Sequence, residues 1–270
     1  MGIFEAIVLG VTQGLTEFLP VSSTGHLILV RDIFGISSEN NFAFDTILQL
    51  ATLLAVVIYF RRDILALIRT AYRILRQKVV SDIDKTFLYA LIVGTLPAVI
   101  FGFFLTDIIE NFFRHSIVVA IGLCLGTLLM LYAEKTVGEG SALTVRKGLN
   151  VGWFQALALI PGISRSGATI SGGMLSGLSR EQAIRFAFVL SFPILLGAGL
   201  LSIHSLLGAP SAATDTTALI VGCIASFLSG LAAIHFLVTY IKTHSFSVFI
   251  WYRLLLAGLI VVLYGVGVLL

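Results

Sequence analysis

The sequence predicts an all-α polytopic membrane protein, with six transmembrane helices plus two re-entrant helical hairpins in an inverted-topology internal repeat. Three observations lead there. Apolar residues make up 58% of the 270 residues, charged residues 11%, and the mean hydropathy is +1.04. A soluble domain carries roughly 25% charged residues, so this chain could not clothe a globular surface in polar groups, and lipid must solvate most of its exterior. Six apolar runs have the length of a membrane crossing, about 20 residues each. Two further segments, one in each half, share a proline and a cluster of small polar residues. No stretch outside the apolar runs is long enough for a soluble domain, so residues 1–270 form one membrane domain, with repeat halves of approximately 1–135 and 143–270.

The segment over roughly 1–35 is an apolar stretch, then Pro20 and a Ser/Thr/Gly cluster, then a second apolar stretch. Proline and glycine break a helix there, and non-helical backbone at membrane depth is tolerated only where protein or a wet cavity covers it. A re-entrant hairpin satisfies both conditions, here and in the second such segment, with an amphipathic surface helix as the alternative. A signal peptide does not fit, because Glu5 stands where a basic region would be, and Gln13 and Glu17 interrupt the apolar run. Spans follow near 42–60, 86–105 and 117–133. Between the first two, Arg61, Arg62, Arg69, Arg73, Arg76, Lys78 and Lys85 crowd one loop, which the positive-inside rule assigns to the cytoplasm.

Alternation puts the loop near 106–116, with Arg114 alone among Lys and Arg, outside, and the loop near 134–149, with Lys135, Arg146 and Lys147, inside. A second hairpin occupies about 150–180 and enters from the inside. Spans near 184–202, 217–240 and 250–270 complete the chain. The loop near 203–216 has no Lys or Arg and is read as outside, while Lys242 and Arg253 flank the cytoplasmic start of the last span. A pI near 9.0 could suggest nucleic acid, but the basic residues cluster between apolar spans, so no nucleic-acid partner is expected. Cys124 and Cys223 lie in apolar runs and read as buried packing residues rather than a disulfide or metal pair.

The hairpins match each other at a fixed offset of 142 positions. Gly10, Gln13, Leu15, Ser22, Thr24, Gly25 and Phe44 correspond to Gly152, Gln155, Leu157, Ser164, Ser166, Gly167 and Phe186, and Pro20 and Pro161 differ by one place. Each half is then one hairpin plus three spans. Three is odd, so the second half is upside down relative to the first, an architecture of broken elements meeting near the midplane. Gly10/Gly14, Gly122/Gly126 and Gly173/Gly177 are small-residue spacings that let helices approach closely.

Two clusters carry chemistry. In Gln13-Gly-Leu-Thr-Glu17-Phe-Leu-Pro20-Val-Ser22-Ser23-Thr24-Gly25-His26, Gln13 and Glu17 share a helix face. An ionised Glu in a membrane needs a cation beside it, and oxygen ligands suit Mg2+ or Ca2+, so Gln13 and Glu17 are the metal candidates. Ser22, Ser23 and Thr24 offer hydroxyls, with His26 close enough to act as base or acid. In Pro161-Gly-Ile-Ser164-Arg165-Ser166-Gly-Ala-Thr169, a guanidinium among hydroxyls and glycine suits a phosphate. Arg165 could equally pair with Glu17, and a site holding both with metal and phosphate would be charge-balanced. His115, His204, His235 and His244 are isolated.

These two motifs closely resemble the undecaprenyl-pyrophosphate phosphatase family, also known for bacitracin resistance, and the similarity covers the whole chain, including its span pattern. The resemblance implies hydrolysis of undecaprenyl pyrophosphate to undecaprenyl phosphate and phosphate, recycling the lipid carrier of bacterial cell-wall synthesis. It implies that Glu17 is tied to metal and catalysis, that Ser23 and His26 are the reacting pair, and that Arg165, Ser164, Ser166 and Thr169 bind pyrophosphate, with Ser22 and Thr24 beside them. Gln13 stands where many members have Glu, which makes the site less negative. The expected cofactor is a divalent metal, Mg2+ or Ca2+. The expected partners are a long-chain polyprenyl pyrophosphate lipid, the membrane and, in a homodimer, a second copy of the chain. The expected location is the bacterial plasma membrane, multi-pass, with the active site facing outside.

A polyprenyl-phosphate transporter or flippase is the alternative that the repeat brings to mind. Ser23-Thr24-Gly25-His26 also faintly echoes the Ser-Gly-His signature of acid-phosphatase-like lipid phosphatases. That superfamily needs a downstream Arg-x5-His-x3-Asp. None of Arg114, Arg146, Arg165, Arg180, Arg185 and Arg253 has a histidine six residues on.

Overall fold

A computed structural model describes residues 1–36, 41–112, 115–207 and 216–269, with side chains described except at 41–43, 105–112 and 201–207. The described residues form helices joined by short turns. These are α1 (Ile3–Phe18), α2 (Ser23–Phe34), α3 (Asn41–Tyr59), α4 (Arg61–Leu75), α5 (Asp82–Phe112), α6 (Ser116–Thr136), α7 (Val145–Leu157), α8 (Arg165–Leu175), α9 (Arg180–Leu207), α10 (Thr216–Tyr240) and α11 (Ser247–Gly265). Five of them, the α5 portion Asp82–Phe104, α6, the α9 portion Arg180–Leu200, α10 and α11, are long and apolar enough to cross a membrane. The described apolar part of α3, Phe44–Tyr59, is shorter. The protein is thus an all-helical, multi-pass membrane protein. Arg114, most of the loop expected over 203–216 and the side chain of His204 lie outside the described residues, and α9 continues past the expected end of its span to Leu207.

Both proline-containing segments are broken helices. α1 ends at Phe18 and α2 restarts at Ser23; α7 ends at Leu157 and α8 restarts at Arg165. The restarts are alike. Ser22 and Ser164 cap them from a left-handed backbone, with φ of 76° and 72°, and their hydroxyls accept from the amides of Gly25 and Gly167. A β-carbon strains this backbone region, so surrounding structure must hold it in place.

Each half lends support to the other. α1 packs most extensively on α10, and α7 on α5. Glycines make this possible. A Cβ on Gly10 would lie 2.3 Å from the Gly222 carbonyl oxygen, and one on Gly152 would lie 2.4 Å from that of Gly94. The contacts α3 with α9 and α6 with α11 complete the bundle. Gly122 and Gly126 of α6 lie against the second break, where a Cβ would come within 2.0 Å of the Pro161 oxygen and 2.5 Å of the Ile163 oxygen. Gly177 serves differently from the packing spacing expected of it: its φ is +83°, in the turn after α8.

Three expectations change. The basic segment 61–85 is not simply a loop, since α4 occupies Arg61–Leu75. Its arginines are interleaved with Leu65, Ile68, Tyr72 and Leu75, all exposed, and so it has the two faces of an interfacial helix. Cys124 is exposed on α6 and Cys223 half-buried, both as free thiols. Arg253 does not flank the last span. It lies inside α11, fully buried. The segments read as cytoplasmic do gather at one end, through ion pairs of Asp63 with Arg185, Glu134 with Arg180 and Lys242 with Glu181, and through the Phe246 amide donating to Glu134.

Gly10→Ala and Gly152→Ala should each destabilise the detergent-solubilised protein by about 1–3 kcal/mol, the usual cost of overpacking. Gly258→Ala, whose Cβ meets nothing within 4 Å, should leave thermal unfolding unchanged. Equal melting of all three variants would show that the helix crossings have room to spare.

Candidate active site

The two breaks meet. Ser166 Oγ donates to the Leu19 carbonyl at 3.1 Å, joining the second break to the first. Arg165 Nη2 donates to Glu17 Oε1 at 2.5 Å, across 148 positions of chain. The other carboxylate oxygen, Oε2, accepts from Gln13 Nε2 at 3.0 Å. Glu17 is therefore held on both sides, with a full positive charge on one of them, as a carboxylate at this depth requires.

A cleft of about 240 Å³ opens at this junction. Its polar lining is Thr16, Glu17, Ser22, Ser23, Thr24, Gln49, Ser164 and Arg165. Its apolar lining is Ala158, Leu159, Ile160 and Pro161 before α8, and Ile194, Leu195 and Ala198 on α9. The division follows the sequence correspondence between the two segments. At the offset of 142, Thr16 and Glu17 correspond to Ala158 and Leu159, so one copy of the same helix end is polar and the other apolar. Ser23 and Arg165 also correspond, and each is the first residue of its restarted helix. The N-termini of α2 and α8 thus border one cleft, and their unpaired amides and partial positive charges favour an anion.

Ser22, Ser23, Thr24, Ser164, Arg165 and Glu17 all line the cleft. Gln13, His26, Ser166 and Thr169 do not. Ser166 is committed to Leu19, and the Thr169 hydroxyl donates to the Arg165 carbonyl at 2.8 Å within its own helix. His26 is one turn into α2, and its Nδ1 lies 2.7 Å from the Ser22 carbonyl oxygen. A carbonyl only accepts, so Nδ1 carries the proton, and in the neutral ring Nε2 accepts from the Tyr252 hydroxyl at 2.7 Å. The two rings are stacked, with centroids 5.5 Å apart. Among the described residues no hydrogen bond joins Ser23 to His26.

A preformed metal cage is not visible in this donor set. Both Glu17 oxygens are engaged, Gln13 turns its amide nitrogen to the carboxylate, and among the described residues no three His, Cys, Asp or Glu side chains gather. One carboxylate together with substrate phosphate oxygens is nevertheless a common way to hold magnesium, so the residues fit an ion that arrives with a phosphate ligand.

Four residues near the site were not singled out from the sequence. Thr16 and Gln49 line the cleft, Tyr252 holds His26, and Arg253 reaches both breaks. Gln49 could have been found as a lone amide in an apolar span. Arg253 could have been found as a charge several residues inside one.

Fold and cleft together define a multi-pass helical membrane protein with a charge-paired cleft at the junction of two broken helices. Residues 6–259 match the family described as "Bacitracin resistance protein BacA", and the chain belongs to that family. Among its relatives, an undecaprenyl-diphosphatase of Myxococcus xanthus (strain DK1622) is 41% identical over 271 residues, covering 99% of this chain and 91% of that one. One of Chlorobium chlorochromatii (strain CaD3) is 41% identical over 282 residues, covering 99% of both chains. One of Pseudomonas putida (strain W619) is 39% identical over 271 residues, covering 98% of this chain and 95% of that one.

Glu17→Gln and Arg165→Gln should each lower the melting temperature in detergent, because each leaves a buried charge without its partner, at a cost of about 3–5 kcal/mol. The double variant should recover part of that loss. Additive losses in the double variant would show that the pair is not energetically coupled.

Proposed function

We propose that the protein is an undecaprenyl-diphosphatase, hydrolysing undecaprenyl pyrophosphate to undecaprenyl phosphate and phosphate. The observation that carries this reading is the junction of two helix N-termini with Arg165 in one cleft, beside an apolar wall. A pyrophosphate on a prenyl chain needs both halves of that cleft. The names of the relatives, 41% identical over nearly the whole chain, support the same reaction. A polyprenyl-phosphate transporter would suit the repeat but leaves the hydroxyl and histidine cluster without a purpose.

In this reading the pyrophosphate lies across the starts of α2 and α8. Backbone amides and the Arg165 guanidinium meet its oxygens, with Ser22, Thr24 and Ser164 as neutral donors and Ser166 and Thr169 holding the second break in shape. The first isoprene unit lies against Leu159, Ile194, Leu195 and Ala198. Phosphoryl transfer asks mainly for in-line positioning and charge neutralisation. Ser23 Oγ attacks the terminal phosphorus, the bond to the bridging oxygen breaks, and undecaprenyl phosphate leaves. Water then splits the phosphoserine, releasing phosphate and restoring Ser23. His26 is one turn from Ser23 and becomes its base by exchanging its bond to Tyr252, an adjustment in keeping with sites whose catalytic hydrogen bonds tighten only around substrate. Glu17, with Gln13 steadying it, would hold a divalent ion, magnesium or calcium, whose charge would offset that of the pyrophosphate.

The finer architecture belongs to the same proposal: six spans, counting α3, with α1–α2 and α7–α8 as re-entrant hairpins related by an inverted two-fold repeat. The reciprocal packing of α1 on α10 and α7 on α5, and the matched caps at Ser22 and Ser164, support it. We place the protein in the bacterial plasma membrane with the basic end in the cytoplasm and the cleft served from outside. Assembly as a homodimer completes the proposal.

Purified protein should release phosphate from undecaprenyl pyrophosphate. Arg165→Lys should lose roughly 10²-fold or more in turnover, because a point charge cannot replace a planar fork. No phosphate release by the parent, or near-normal turnover by the Lys variant, would contradict this.

Ser23→Ala should stop turnover while pyrophosphate still binds, and rapid acid quenching of the parent during turnover should trap a phosphoserine. Strong loss in Ser22→Ala with little loss in Ser23→Ala would move the nucleophile to the neighbouring serine. Substantial turnover in Ser23→Ala with no phosphoenzyme would favour direct attack by water.

A further inference from the structure

Arg253 is fully buried and, among the described residues, is paired with no carboxylate, yet every nitrogen of its guanidinium has a partner. Nε donates to Thr127 Oγ1 at 3.0 Å, and Nη2 donates to the Leu123 carbonyl at 3.0 Å; both acceptors are on α6. The rest of its reach goes to the two breaks. Nη1 donates to the Pro20 carbonyl at 3.1 Å, and Nη2 donates to the Gly162 and Ile163 carbonyls at 3.0 and 3.1 Å. Among the described residues, none of these three carbonyls accepts a backbone amide. They belong to turns where the helix has stopped and a buried acceptor would otherwise go unpaired, at a cost of about 1–3 kcal/mol each.

These carbonyls are two residues before Ser22 and one and two residues before Ser164, the strained caps whose following residues are Ser23 and Arg165. A single rigid, planar cation thus sets the spacing between the two helix N-termini. We propose that Arg253 is a positioning residue for the hydrolysis: it touches no substrate, and it fixes the nucleophile of one break against the phosphate-binding guanidinium of the other. The inference rests on the proposed phosphatase function. A lysine cannot reproduce it, since a point ammonium has three donors and no fixed plane, and these acceptors are spread over three segments of chain.

The test compares kcat and KM per folded molecule, after size-exclusion chromatography in detergent, for Arg253→Lys and for Gly126→Ala. In the second variant the guanidinium stays, but a Cβ built 2.2 Å from Nη2 and 2.5 Å from the Ile163 oxygen forces the guanidinium and the second break apart. Both should lower kcat by about 10- to 100-fold, the scale of a misplacement near 1 Å, with KM changed less than about 3-fold on the same grounds. Arg180→Lys, at the ion pair with Glu134 away from the cleft, serves as the destabilised control and should lower melting temperature but leave kcat unchanged.

Spin labels at Thr24→Cys and Leu157→Cys, in a background of Cys124→Ser and Cys223→Ser, give a readout independent of turnover. Their distance distribution should broaden or shift when Arg253→Lys is added. Normal kcat per folded molecule in both variants, or an unchanged distance distribution, would reduce Arg253 to a stabilising residue and overturn the proposal. If Arg253→Lys does not fold, Thr127→Val, which removes the acceptor of Nε and adds no atom against the second break, takes its place beside Gly126→Ala and should likewise lower kcat. An inactive parent would refute the phosphatase reading instead, and the spin-label distances would still test whether Arg253 sets the spacing of the breaks.

Discussion

A carboxylate on the last turn of α1 and a guanidinium on the first residue of α8 meet at 2.5 Å in the interior of a membrane protein. Neither charge is stable at that depth alone, and the broken helices that carry them have no reason to converge unless both charges are satisfied together. Much of the surrounding structure can be understood as support for this meeting. Gln13 steadies the far side of Glu17, and Ser166 ties the second break to Leu19. Glycines on α1, α6 and α7 remove the side chains that would hold the helices apart. The strain at Ser22 and Ser164 is tolerable because packing and hydrogen bonds on several sides leave those residues no alternative.

The two broken helices correspond at an offset of 142 positions, and several mismatches between them fall at the cleft. Two identical halves would give a cleft with two serines or two arginines at the helix starts and two carboxylates or two leucines before the breaks. Instead Ser23 stands opposite Arg165, and Glu17 opposite Leu159. The first break contributes a serine and a carboxylate to the cleft, and the second a guanidinium and apolar side chains. An amphiphilic substrate with a charged head and a hydrocarbon tail fits such a divided cleft better than a symmetric small ion does.

Much of this was legible in the residues. The spans near 86–105, 117–133, 184–202 and 217–240 fall within α5, α6, α9 and α10, because long apolar runs in lipid leave the backbone little choice but helix. Both breaks were legible from Pro20, Pro161 and the small polar residues after them, and six of the named site residues line the cleft. What escaped depended on three dimensions. α4 was hidden because its seven-residue neighbourhood of arginines and lysines looked like an orientation signal, and the apolar face between them was overlooked. Arg253 was read as an interfacial charge because its acceptors are backbone carbonyls, which leave no mark in a sequence. The commitment of His26 to Ser22 and Tyr252, and of Thr169 to its own helix, follows from rotamers rather than residue type.

The central claim is that the two broken helices present one anion site between them, and it can be observed directly. A structure of the protein in lipid nanodiscs with a non-hydrolysable prenyl methylenediphosphonate would locate both phosphorus atoms. The account predicts that they lie between the N-termini of α2 and α8, within hydrogen-bonding reach of Arg165, with the first isoprene unit on the Leu159 side. Phosphates resting instead against the basic face of α4 would contradict it.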